Sequence, residues 1–209
     1  MQKDNNDSLI QAALNWIIQA GIEGSGVLPP AEQVAEDYRK KSNGDVEGAI
    51  NSLIKWRTAY AAGTGFLTGC GGFVAMPVTI PAGLLASYAI AANTAGAIAH
   101  LRGYDLESDQ VRTFILACLL GGSANEALKK TGIVVGNKVG QNFVKKIPGK
   151  ILIELNKKIG FRLMTKAGEK GVVNIMKVVP LIGGPIGGAF DATMVKSCGK
   201  AAKSAFVAI

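Results

Sequence analysis

The sequence predicts an all-α protein: a helical bundle around a central apolar helical hairpin rich in glycine and alanine. Three observations carry this reading. Thr58 to Ala99 are 42 consecutive residues without a charge. As one helix they would reach about 60 Å, too long for a single element of a small domain, so the stretch folds back. Pro77 and Pro81 mark where, because proline stops a helix and pushes the preceding residue toward extended backbone. The third observation is helical periodicity on both sides of this stretch, punctuated by glycine, proline and capping residues.

In chain order, Leu9, Ala13, Trp16, Ile17 and Ala20 recur at the spacing of an amphipathic helix over 5–20, capped by Asp4 or Asn5 and ended by Gly21. Gly24 to Pro30 is a connector. Pro30 suits the first turn of a helix over 31–41, whose acids come first (Glu32, Glu36, Asp37) and bases last (Arg39, Lys40, Lys41), as the macrodipole favours. Ser42-Asn-Gly44 closes it, and Asp45 caps a third helix with Ile50, Leu53, Ile54 and Trp56 as its inward stripe. The hairpin follows, with legs at 58–76 and 82–99. Each leg is about as long as a bilayer core is thick, so insertion into a membrane and burial inside the bundle both stay open. Its small residues, Gly65 and Gly69 on one face and alanines along the second leg, favour close backbone approach over lipid contact.

Next comes the densest polar cluster: His100, Arg102, Tyr104, Asp105, Asp109 and Arg112. Gly103 ends the second leg, and Ser108 or Asp105 caps a helix carrying Val111, Phe114, Ile115, Cys118 and Leu119. A lone histidine near acids can act as a general base, but no nucleophile or second catalytic pair accompanies it. The cluster reads as caps and an ion pair fixing a helix-turn-helix corner, and the chain as non-enzymatic. A short helix within 122–136 ends near Gly132. Pro148, Gly160, Gly168 and Gly171 then break the chain into short amphipathic helices. Their stripes run Val139, Phe143, Val144, Ile147, then Ile151, Leu152, Leu155, Ile159, then Leu163, Val172, Ile175, Met176. Pro180 to Gly188 is apolar and small, and 189–206 reads as a last helix packed on the hairpin legs. Its buried Asp191 needs a partner, for which Arg102 or Arg112 are the candidates.

Charge is divided unevenly. Residues 1–136 hold 10 Lys/Arg and 12 Asp/Glu, net −2; residues 137–209 hold 13 and 3, net +10. A basic half of that size points to an anionic partner, nucleic acid or lipid. Lysine outnumbers arginine nine to one over 137–177, with only Phe143 and Phe161 as aromatics. Base stacking and arginine readout are therefore poorly served, and no nucleic-acid partner is expected. Lys145, Lys146, Lys150, Lys157, Lys158, Arg162, Lys166 and Lys170, set among aliphatics, fit an anionic membrane surface, against the alternative of a merely solubilising face.

Other chemistries are excluded. Cys70, Cys118 and Cys198 are odd in number and set among apolar residues, which reads as reduced core thiols, and with only His100 no zinc-like cluster can form. After Gly63-Thr-Gly65 the third glycine of a dinucleotide loop is replaced by Thr68, and no Gly-Lys-Ser/Thr follows, so no cofactor is expected. The N-terminus, Met1 to Asp7, lacks the basic-then-apolar order of a signal peptide, so the chain is expected in the cytoplasm, and the lysine-rich C-terminal half is expected to hold it on the inner face of the cell membrane.

Several elements together resemble the EcsC protein family: Asp37-Tyr38, Trp56, the Gly63 to Gly72 run into Met76-Pro77 and Ile80-Pro81, Ile98-Ala-His-Leu-Arg-Gly-Tyr-Asp-Leu106 with Ser108-Asp109 and Val111-Arg-Thr113, and Val179-Pro-Leu-Ile-Gly-Gly184 with Gly187-Gly188 and Asp191. The resemblance spans about 30–208. It implies one mainly helical domain over 1–209, comprising an N-terminal helix and linker (1–29), a bundle with the central hairpin (30–136) and a basic C-terminal part (137–209). It further implies association with a membrane, and a protein partner such as a membrane transporter component. It brings no catalytic residues with it. On the membrane reading the 58–99 hairpin could also insert into or hold a lipid; a soluble scaffold or regulator that binds a protein partner is the alternative function, and a hydrolase-type enzyme on a lipid substrate using the His100 to Arg112 cluster ranks third.

Overall fold

The computed structural model describes residues 2–26, 28–63, 82–129, 144, 146–167 and 173–207. In chain order the helices are α1 (Gln2–Glu23), α2 (Ala31–Lys41), α3 (Val46–Gly63), α4 (Ala82–Leu101), α5 (Asp109–Cys118), α6 (Ala124–Lys129), α7 (Gly149–Ala167) and α8 (Val173–Ala205), with a 3-10 turn at Gly121–Ser123 before α6. The fold is all-α, and the described residues contain no strand, only an isolated bridge between Ser25 and Leu28.

The arrangement follows from α4. It is alanine-rich, hence a strong helix former, and apolar around its whole circumference, which marks a helix enclosed on every side. Helices α1, α2, α3, α5 and α8 all pack on it, while α7 lies against α1 and α5. Ala91, Ala92, Ala95, Ala97, Ile98 and Ala99 have no exposed surface. Leu84–Leu101 is long and apolar enough to cross a bilayer, yet 89% of that window is buried within the protein. The second leg of the expected hairpin is therefore the core helix of the bundle. The connector 77–81 and residues 64–76 of the first leg lie outside the described residues.

Several other departures from expectation arise because small residues serve as contacts rather than breaks. Helix α1 does not stop at Gly21, because a Cβ there would sit 2.7 Å from that of Ala92; the chain turns at Gly24, whose φ is +86°. Helix α3 continues through Thr58 to Gly63, since nothing in that stretch disfavours helix, so the start of the expected first leg belongs to α3. Trp56 is 60% exposed rather than inward, whereas Ile50 and Leu53 are fully buried. Helix α7 passes unbroken through Gly160, where a Cβ would fall 2.2 Å from Ile10 Cγ2 of α1. Helix α8 runs through Pro180 and Pro185 as one element instead of beginning near Ala189. A Cβ at Gly188 would meet the Ala62 carbonyl oxygen at 2.5 Å, so α8 and α3 touch backbone to backbone there, and one at Gly199 would meet the Ile54 side chain at 2.9 Å.

Close approach lets short polar side chains bridge helices. Asn93, fully buried on α4, donates from Nδ2 to the Gly21 carbonyl (2.8 Å) and the Pro29 carbonyl (2.9 Å). Its Oδ1 accepts from Arg57 Nη2 of α3 at 2.8 Å. One amide thus satisfies a C-terminal carbonyl of α1, which has no intrahelical partner, and fixes the linker and α3 to α4. Asp191 does not pair with Arg102 or Arg112. It lies 6% exposed on α8, and Ser87 Oγ of α4 donates to its Oδ1 at 2.6 Å. Burial pushes its carboxyl above the ordinary range, and the Ser87 hydrogen bond opposes this. Arg102 and Arg112 are out of reach because each is taken by a nearer carboxylate, Glu47 and Glu107 respectively.

Three outcomes are expected. Asn93→Ala leaves two carbonyls and a half-buried guanidinium unpaired and should cost roughly 3 kcal/mol in chemical denaturation. Gly188→Ala should destabilise by about 1–3 kcal/mol, because a clash with backbone outweighs the helix propensity gained; Gly122→Ala, with nothing within 4 Å, serves as the near-neutral control. For Asp191, a native pKa above the unfolded value means that the folded state holds the proton more tightly. The penalty is absent below the unfolded pKa and grows as pH rises through the native one. Asp191→Asn should therefore raise Tm by a few degrees at pH 7, a gain that vanishes at acid pH; a pH-independent difference would contradict it.

Candidate functional site

The polar corner after α4 is built by local turn chemistry. Gly103, at φ +77°, ends the helix, with its N–H on the His100 carbonyl and the Tyr104 N–H on that of Ala99. Each side chain then goes to a different neighbour. His100 faces α2, with Nε2 3.3 Å from Glu36 and Nδ1 3.8 Å from Glu32. Arg102 is paired with Glu47 of α3, which also holds Lys203 of α8 at 3.2 Å; Lys203 donates to Asn51 as well. Tyr104 donates to the Val207 carbonyl and sets its ring edge-on to Phe206 at 5.0 Å. Asp105 accepts from the Glu107 N–H, and Asp109 lies exposed in the first turn of α5, where the helix dipole favours an acid. Ser108 occupies the N-cap position, but its hydroxyl donates to Gln110 instead. Arg112 donates from Nε to the Leu106 carbonyl and pairs with Glu107 at 2.9 Å. These groups tie α2, α3, α5 and α8 to the end of α4 and do not converge on a common point, while Asp191 sits apart with Ser87.

Between α1, α4 and α7, a cavity of about 10 Å³ lined by Ile10, Leu14, Leu85, Tyr88 and Leu163 has room for no more than one water-sized sphere. Tyr88 reaches across to the Leu163 carbonyl at 3.4 Å, and burial pushes its phenol up to about 12. Cys118 and Cys198 are free and buried, the Cys118 thiol pushed up to about 12, so neither is a nucleophile at neutral pH. Cys70 lies outside the described residues. Among the described residues no group of three His, Cys, Asp or Glu could hold a metal ion.

The surface is more informative, on α7. Leu152, Leu155, Ile159, Gly160 and Leu163 face the core. The opposite side carries Lys150, Ile153, Lys157 and Phe161, all exposed and at helical spacing, with Ile153 and Phe161 each 62% exposed. Lys146 is exposed just before the helix. Glu154, the acid on this face, is held at 2.6 Å by Lys158, which keeps its carboxyl below the usual range with a smaller contribution from Lys150. Lys158 and Arg162 are half-buried at the flank. Lys166 falls in the last turn of α7, its side chain outside the described set, as are Lys145 and Lys170 altogether. Sequence reasoning missed Ile153, which falls outside the apolar stripe of the helix. The signal that could have found it was an isoleucine at a position where that periodicity calls for a polar residue.

No curated protein and no solved structure matches the chain. The model of the EcsC protein family matches residues 4–207, nearly the whole sequence, and the chain belongs to that family.

Proposed function

We propose that this protein is a non-enzymatic, peripheral membrane protein that docks on anionic bilayers, such as the inner face of the cell membrane, through the outer face of α7. The observation that carries the reading is the pairing of exposed Ile153 and Phe161 with Lys150 and Lys157 on one helical face. Large apolar side chains left in water are costly, and an amphipathic surface of lysines around aliphatic and aromatic groups matches the boundary between headgroups and acyl chains. Full burial of an isoleucine or phenylalanine contributes roughly 2 kcal/mol. Each lysine beside an anionic surface adds about 1 kcal/mol. Terms of that size support reversible attachment. Surface docking is favoured over insertion of the central hairpin because α4 is enclosed by five other helices and could enter lipid only by dismantling the core. A binding rather than catalytic role is supported by the polar corner, whose side chains are committed to holding helices together.

Sedimentation with vesicles tests this. Binding to phosphatidylglycerol-containing vesicles is expected, with little to pure phosphatidylcholine, and it should weaken as salt rises. Ile153→Ser or Phe161→Ser should lower the partition coefficient about tenfold, and Ile153→Ser should leave Tm nearly unchanged. Lys150→Gln and Lys157→Gln should each cost about fivefold and flatten the salt dependence. Equal binding to neutral and anionic vesicles, or no binding at low salt, would overturn the reading.

A further inference from the structure

On α3, Arg57 follows Trp56 directly and stands three residues before Tyr60, so the three share one side of the helix. Trp56 is 60% and Tyr60 45% exposed, whereas Arg57 is half-buried. Arg39, Arg102 and Arg112 each meet a carboxylate. Arg57 meets none among the described residues; its one hydrogen bond there goes to the neutral oxygen of Asn93. The 42 residues that begin at Thr58 contain no acid at all. Tyr38 of α2 and Tyr60 lie close enough to interact with its charge, and burial holds the guanidinium below its usual range. A desolvated cation with only a neutral partner is unfavourable, and an anion corrects it. The remaining donors of the planar fork match two oxygens of a phosphate group, while exposed tryptophan and tyrosine suit the headgroup level of a lipid.

We propose that Arg57, framed by Tyr38, Trp56 and Tyr60, binds a phosphate group, either as free phosphate or as the phosphodiester of a lipid headgroup. The site is separate from α7 and does not depend on docking there.

Trp56 is one of two tryptophans, so Trp16→Phe leaves it as the sole reporter. In that background, emission is followed during titration with sodium phosphate against sodium chloride at equal ionic strength, and with monomeric dihexanoyl phosphatidylglycerol against dihexanoylglycerol. A saturable change with either phosphate ligand and not with its control supports the site. A response to both assigns it to the phosphate group as such, and a response to one alone names the source. Arg57→Gln should weaken binding about tenfold or more. Should that variant not fold by circular dichroism, Arg57→Lys keeps a donor toward Asn93 and should bind several-fold more weakly, because an ammonium replaces the fork. The Lys150→Gln/Lys157→Gln double variant should respond like its parent, which separates this site from the α7 surface. No saturable response to either ligand, unchanged affinity in the folded Arg57 variant, or loss of the response in the lysine double variant would overturn the proposal.

Discussion

The bundle depends on a single constraint: the amide of Asn93 must be fully hydrogen-bonded at the centre of a helix with no exposed surface around it. It can be, because Gly21 has no side chain and α1 comes close enough for its free carbonyl to reach Nδ2, while the linker turns so that the Pro29 carbonyl meets the second hydrogen. Arg57 completes the set from α3. An unpaired buried amide costs far more than a paired one returns, so this arrangement selects one mutual placement of α1, the linker, α3 and α4 over neighbouring alternatives.

The same economy of size runs through the core. Alanine and glycine contribute little hydrophobic burial per residue, so a helix such as α4 gains its stability from the number of neighbours that can reach it. Gly188 lies against the Ala62 backbone, and Gly199 and Gly160 receive the side chains of Ile54 and of Ile10 and Leu14, so the absence of a side chain lets each pair of helices close up. A composition that passes for membrane-spanning by length and hydropathy here provides dense helix packing inside the protein.

Charge divides along the same lines. Residues near the helix ends are spent on ion pairs that orient α2, α3, α5 and α8 around the end of α4, notably Glu47 between Arg102 and Lys203. Lys150 and Lys157 lie on the outer face of α7 beside Ile153 and Phe161. Arg57 stands between these two classes: withdrawn like the first, without a carboxylate partner among the described residues, and bordered by exposed aromatics like the second.

What the sequence by itself determined was whatever is local. The 3.6-residue spacing of apolar positions, the capping residues and the uncharged run give the all-α class, the bounds of α2, the second leg as a helix and the corner at Gly103, because each depends on neighbours within a turn or two. The excess of lysine over acid in residues 137–209 is likewise a property of the sequence alone. What only the tertiary structure decided was the choice between equivalent local readings. Gly21, Gly160 and the Pro180 to Gly188 run read as breaks, since propensity counts the backbone entropy of glycine but not the space it opens for a distant helix. Asp191 read as the partner of an arginine, yet meets Ser87, 104 residues away, because the nearer carboxylates had already taken those arginines. Trp56, expected in the core, lies on the surface, and Ile153 joins the lysines outside. Which side of a helix faces its neighbours is settled by long-range packing, and that is the information a linear pattern does not hold.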